Sequence, residues 1–325
     1  MSTPEVTPVV PSPSHGWLDV RERGSKALVR LTLFWTTVLG RRFGRLVVRV
    51  VAFYYALFAP GARRHASDFL RRATGAASIG FWDAYRQILR FAQCTFDALF
   101  LVQGKTKHFR VKTNGHELLA KLRDEKRGAI LLGAHLGSFY AMRLQSFREK
   151  LPLYAVVFTK NARMINETLE ELDPGGNATL IELDAEGSMD SMLRIKELVE
   201  GGAIVAMLAD RVSAGGKEGR TVTVPFMGAD ARFPVGPYIL ASMLRCPVYL
   251  TFGLYRDPDL YELYCEPFAD PIELPRRTRE EALVGYVSRY AERLAHYARM
   301  APDNWFNFYD FWAPAAAPSE TTGER

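Results

Sequence analysis

An α/β fold, with a largely parallel central sheet flanked by helices, is predicted for residues 105–312 on three observations. Short apolar runs of strand length recur at residues 129–134, 151–158, 203–209 and 247–254. Segments with apolar residues at helical spacing alternate with them. The runs read as buried strands, and buried strands interleaved with helices pair in parallel. In such sheets ligands gather at the carboxyl ends of the strands.

The chain has 325 residues, 48% of them hydrophobic and 24% charged, which is the balance of a folded protein with a sizeable core. Its three cysteines, Cys94, Cys246 and Cys265, are odd in number and widely spaced. They form no metal-ligand pattern and read as buried free thiols of a reducing compartment. The net charge of +6 is unevenly placed: residues 1–72 hold twelve Lys or Arg against four Asp or Glu, so that segment carries +8 and the rest −2. A basic segment meets nucleic acid, anionic lipid or an acidic protein. No nucleic-acid recognition motif accompanies the charge, so nucleic acid is set aside as a partner.

Taken in order, residues 1–16 read as a disordered leader, and residues 1–14, Pro-rich with no basic residue, show no signal peptide. Residues 17–104 have a helical pattern, and the breakers Gly40, Pro60-Gly61 and Gly75 divide it into four or five helices. The apolar stretches 31–39 and 50–59 fall short of the roughly 20 residues a spanning helix needs. With Trp35, Phe53, Tyr54 and Tyr55, edged by Arg41, Arg42, Arg45 and Arg63, they fit either helices docked on an anionic membrane surface or ordinary core helices. The α/β core follows. A strand at 129–134 leads to a helix beginning near Ser138, then a strand at 151–158. Ser188 caps a helix that stops at Gly201-Gly202, before a strand at 203–209 and a shorter one at 221–225. A helix at 234–245, a strand at 247–254 and a long helix at 278–300 complete the core, and 313–325 reads as a disordered Pro/Ala-rich tail.

The polar residues of interest fall at strand ends. His135 directly follows the first strand, beside Gly137, which permits close backbone approach. A histidine there either packs as a cap or takes a proton from a hydroxyl nucleophile, its ordinary pKa being near neutrality. The N–H groups of the next helix are placed to meet a developing oxyanion. Asp210-Arg211 ends another strand, either as a structural ion pair or with Arg211 gripping a phosphate. Lys160, Asn161 and Arg163 follow the 151–158 strand, either as an anion-binding edge with Arg211 or as a solvated loop. The glycine-rich run Gly215-Gly216-Lys217-Glu218-Gly219-Arg220 lacks the strand-before, helix-after context of a phosphate loop and reads as a mobile loop over the site. The aromatic run from Asn304 to Trp312 either walls an acyl groove or docks on the core.

His135-Leu136-Gly137-Ser138-Phe139-Tyr140 resembles the hallmark of the bacterial lipid A biosynthesis acyltransferases, the lauroyl and myristoyl transferases, in which a histidine is followed by four residues and then Glu or Asp. Trp17 with Glu22-Arg23-Gly24-Ser25 is similar to that family's start, and Leu208-Ala209-Asp210-Arg211 to its second polar site. Pro225-Phe226-Met227-Gly228, Phe233-Pro234-Val235-Gly236-Pro237 and Cys246-Pro247-Val248 resemble its acceptor-side segment, and Pro302-Asp303-Asn304-Trp305 its C-terminal signature. The context of His135 and the aromatic ending are similar to relatives associated with aryl polyene pigments.

The resemblance implies a glycerolipid-acyltransferase-like fold and transfer of a fatty acyl group from an acyl-carrier-protein or coenzyme A thioester to a hydroxyl of a lipid or glycolipid. With the strand-end reading above, His135 is expected as base and Ser138, Lys160, Asn161, Arg163, Asp210 and Arg211 as substrate contacts, and no metal or redox cofactor is implied. The cytoplasmic face of a bacterial inner membrane is the implied location, and an acidic acyl carrier protein suits the basic N-terminal region. One departure bears on turnover: Tyr140 stands where the family has its carboxylate. A phenol can orient an imidazole but offers no charge to the imidazolium. Either Tyr140 suffices, or another carboxylate such as Asp210 approaches His135, or the chain is a silent lipid-binding scaffold.

Overall fold

The computed structural model describes residues 26–158, 179–183, 189–211 and 220–312. Among these, nine strands form: β1 Arg110–Asn114, β2 Ala129–Gly133, β3 Leu153–Phe158, β4 Thr179–Leu183, β5 Ile204–Leu208, β6 Thr221–Phe226, β7 Ala229–Pro234, β8 Val248–Arg256 and β9 Leu260–Ala269. Seven of them make one sheet in the order β1-β9-β8-β2-β5-β3-β4. Every neighbouring pair is parallel except β8 with β9, so β1 and β9 run against the other five. All five residues of the central strand β2 are buried, as its unbroken apolar run predicts.

Helices cover both faces. They are α1 Lys26–Phe58, α2 Pro60–Thr74, α3 Phe81–Val102, α4 His116–Asp124, α5 Phe139–Arg148, α6 Met189–Glu200, α7 Gly236–Leu244 and α8 Arg279–Met300. Side chains of α6, α7 and α8 join the core with Ile130 and Leu132 of β2. Residues of α1, α3 and α5 pack with Tyr255, Tyr261 and Leu263 on the other side. The expected breakers act as such: Gly40 interrupts α1 at φ 78°, Pro60 opens α2, and Gly75 closes it at φ 71° with its N–H on the Arg71 carbonyl.

The N-terminal helices are bound to the sheet through the arginines expected to edge a membrane-facing surface. Arg41 donates to both oxygens of the buried Asp97 carboxylate at 2.9 and 2.8 Å, and Tyr261 adds a third bond at 3.0 Å. Arg45 donates to the Tyr255 hydroxyl at 2.7 Å and to Asp257. Arg63 turns back onto the Ala56 and Leu57 carbonyls at the end of α1. Arg41 and Arg45 therefore face inward, as the core-helix alternative expects, because a carboxylate as buried as Asp97 requires cationic and hydrogen-bonding partners, while Arg42 stays exposed. The outer face of α1 is instead apolar. Leu46, Val50, Tyr54 and Phe58, spaced four apart, are 56%, 64%, 62% and 63% exposed. No single helix among the described residues is long and apolar enough to cross a membrane.

The β6–β7 hairpin closes on Met227-Gly228, both at positive φ (51° and 84°), as a two-residue turn between strands requires. It presents Phe226 and Phe233 to the core, where Phe226 packs against Trp305 with ring centroids 5.4 Å apart. The aromatic C-terminal run thus docks on the core, with Phe306 also reaching the cavity described below.

Candidate active site

Sheet register brings the two strand-end motifs together. β2 and β5 are neighbours with Gly133 opposite Leu208, so His135 and Asp210 stand two residues beyond one matched pair. The Asp210 carboxylate, fully buried, receives His135 Nδ1–H on Oδ1 at 2.9 Å. Its other oxygen accepts the His135 backbone N–H at 3.0 Å and the Trp305 indole N–H at 3.2 Å. Arg211 Nε lies 4.0 Å from the same oxygen. Burial alone pushes the Asp210 carboxyl up, but His135 and Arg211 outweigh it and hold the group well below the usual carboxylate range. A carboxylate can only accept, so the Nδ1 position carries the imidazole proton and Nε2 is the basic atom. Burial lowers the His135 pKa first and Arg211 second, with Asp210 opposing both. The ring therefore stays neutral, and basic, at pH 7.

The loop after β2 is fixed on both sides. Gly137 donates to the Asn304 carbonyl at 2.9 Å, and Phe306 donates to the His135 carbonyl at 3.0 Å. Ser138 N–H bonds to the Gly253 carbonyl at 2.7 Å. Gly137 has φ +72°, and a Cβ there would sit 1.8 Å from the Gly253 oxygen, so only glycine fits. Tyr290 donates to the Gly133 carbonyl at 2.7 Å and anchors the end of β2. The N–H groups of Gly137 and Ser138 are thus engaged with carbonyls, which narrows the expected role of this helix start in holding an oxyanion.

Of the residues singled out in the sequence, His135, Asp210, Arg211, Ser138 and Tyr140 converge here. Asp210 is fully buried and bonds to the imidazole, the alternative raised above to Tyr140, which stands at the position where the resemblance implies a carboxylate. Ser138 is buried, and its hydroxyl accepts the Ala141 N–H at 3.3 Å as the cap of α5, though it also borders the cavity. Tyr140 lies in the first turn of α5, its ring edge-on to Phe139 at 5.8 Å and against the cluster formed with α3. Arg211 borders the cavity, donates to the Phe306 carbonyl and lies 5.5 Å over the Tyr309 ring. Lys160, Asn161, Arg163, Ser188 and residues 212–219 fall outside the described residues, as do both expected disordered ends. Arg220, the last residue of the glycine-rich run, pairs with Glu280. Trp305 was legible only as part of a motif; the hydrogen bond that gives it a place in the site depends on the hairpin packed against it.

A cavity of about 370 Å³ opens at His135, about a third of whose side chain is exposed. Its lining is largely apolar, with Leu131, Leu153, Ala155, Ala206 and Leu208 from the sheet and Met142 from α5. A histidine–carboxylate pair at the mouth of an apolar cavity, at the carboxyl edge of a parallel sheet, defines an α/β enzyme for a substrate carrying an apolar group. A profile described as bacterial lipid A biosynthesis acyltransferase matches residues 83–313, most of the chain, and the protein belongs to that family. It is an acyltransferase of a family membrane-associated in bacteria. No curated protein matches the chain.

Proposed function

We propose that the enzyme transfers a fatty acyl group from a carrier-protein or coenzyme A thioester to a hydroxyl of a lipid or glycolipid, with the His135–Asp210 pair as its catalytic base. The observation that carries this reading is the 2.9 Å bond between His135 Nδ1 and Asp210 Oδ1. Nε2 takes the proton of the acceptor hydroxyl as its oxygen attacks the thioester carbonyl. The tetrahedral intermediate collapses, the C–S bond breaks, and the imidazolium returns the proton to the departing thiolate. Asp210 stabilises the imidazolium between those steps. The sequence uses no metal ion or redox cofactor.

Arg211 is the proposed phosphate contact on donor or acceptor, supported by its place on the cavity wall. Lys160, Asn161 and Arg163 remain candidates for the same anion. The exposed apolar stripe of α1, continued by Trp82 at 62% exposure, is the proposed docking face on the cytoplasmic leaflet of the inner membrane. Arg42 and Arg49, exposed on the same helix, suit anionic headgroups and an acidic carrier protein.

The silent-scaffold reading rests on Tyr140 in place of a carboxylate. Asp210 answers it by supplying a charge at Nδ1. The deciding assay is transfer of radiolabelled acyl groups from carrier-protein or coenzyme A thioester to extracted lipid by the native chain, Tyr140→Phe and Tyr140→Glu. Product from native and Tyr140→Phe at rates within about threefold is expected, because Asp210 holds the ring in both. Product from Tyr140→Glu alone would establish the scaffold reading instead.

A further inference from the structure

The cavity has a direction. His135 forms one end, at the carboxyl edge of β2. Leu153 lies toward the other: it pairs with Ile204, which pairs with Ala129, six residues before His135. Six strand residues span about 20 Å. Between these levels the floor is Leu131, Ala155 and Ala206, and α5 forms the roof through Met142. α5 begins at Phe139, four residues after His135, and ends at Arg148, just before β3 opens at Leu153, so Gln145 and Glu149 come to the far end of the cavity, where His116 at the start of α4 meets Glu149.

That far end changes chemistry abruptly. Gln145 Nε2 donates to Glu149 Oε1 at 2.5 Å, and His116 Nε2 is 3.9 Å from the same oxygen. Thr113 Oγ1 and His116 Nδ1 are 3.2 Å apart. All four residues line the cavity. A methylene pushed against this group would strip water from a carboxyl and an amide that the hydrocarbon cannot replace with a hydrogen bond.

We infer that the acyl chain lies along the underside of α5 with its reactive carbon at His135, and that Gln145 and Glu149 set the chain length the enzyme accepts. This rests on the acyl-transfer reading above, since a thioester carbonyl attacked at His135 must send its chain somewhere, and the apolar path begins there. Each carbon added within the path gains apolar burial; carbons beyond the polar rim gain none.

The test is equilibrium displacement of a fluorescent fatty acid by a series of saturated fatty acids, with the full chain and its variants. Affinity for the native chain rises about fourfold per added methylene up to a break, then levels. In the Gln145→Leu/Glu149→Leu pair, which carries apolar lining through the rim, the break moves to longer chains. In Met142→Trp, which fills the middle of the path, it moves to shorter ones. Opposite shifts from two variants exclude a general folding defect, and each variant is carried only if its melting curve remains cooperative. A break unmoved in the Gln145→Leu/Glu149→Leu pair, or absent from the native series, overturns the inference. Acyl transfer by the native chain is measured in parallel: transfer with an unmoved break rejects the inference alone, and a moving break without transfer rejects the acyl-transfer reading alone.

Discussion

Replacing Asp210 by Asn changes one atom and reverses the logic of the site. Three N–H groups converge on the carboxylate: His135 Nδ1 on Oδ1 at 2.9 Å, and the His135 backbone and Trp305 indole on Oδ2 at 3.0 and 3.2 Å. Asparagine offers a single acceptor oxygen. Directed at the backbone and indole, it satisfies two donors and turns its NH₂ toward Nδ1. Nδ1 must then accept, the imidazole proton moves to Nε2, and the base loses the lone pair that receives the acceptor's proton. Turning the amide the other way saves the tautomer but faces an NH₂ with two buried N–H groups, at about 1–3 kcal/mol for each donor left unpaired. The first arrangement is therefore favoured. In a serine-protease triad the equivalent Asp→Asn change costs about 10⁴ in kcat. The same loss is expected here, about 5.5 kcal/mol of transition-state stabilisation. The assay is single-turnover acyl transfer under saturating thioester, with a thermal melt to establish that the variant is folded. A folded Asp210→Asn enzyme within tenfold of the native rate would refute the reasoning and return the orienting role to another group.

Three further outcomes follow from the same geometry. Because burial and then Arg211 depress the His135 pKa, removing the cation in Arg211→Gln raises it. The base must be neutral to act, so the acidic limb of the kcat/KM pH profile moves to higher pH; a limb that stays or falls contradicts the assignment. Gly137→Ala meets the Gly253 carbonyl at 1.8 Å with φ at +72° and loses about 3 kcal/mol or more in denaturant melts, with activity falling alongside; a loss under 1 kcal/mol means that the loop relaxes without consequence. Val50→Asp/Tyr54→Asp, on the exposed face of α1, reduces flotation with anionic liposomes at least about tenfold while leaving the melting temperature within a few degrees. Undiminished flotation removes that face from membrane docking.

How much of this was legible follows from which interactions are local. The apolar runs that became β2, β3, β5 and β8 were plain in the sequence, because strands buried on both faces carry no other signal. β1 and β4 are five-residue strands at the sheet edges, and β9, though ten residues long, mixes buried with half-exposed residues and carries charge at Glu262 and Glu266; such polar-mixed sequences offered little to read. His135 and Asp210 were each visible as strand-end residues. That they touch depends on β5 inserting between β2 and β3, a matter of sheet order, which chain order does not dictate. The resemblance pointed to Tyr140, with Asp210 only as an alternative, for the same reason: a motif is local, whereas the contact His135 makes is 75 residues long. Arg41 and Arg45 pair with Asp97 and Asp257, 56 and 212 residues away, so a reading confined to their own helix placed them on its outside.

The central claim is that His135, held by Asp210, performs acyl transfer. Its most direct test is the yield of labelled lipid from an acyl thioester with the native chain and with His135→Ala, each shown folded by its melt. Labelled lipid from the native chain, and a rate for His135→Ala reduced at least about a thousandfold as for other removed general bases, is the expected result. Equal yield from the two proteins would contradict the account.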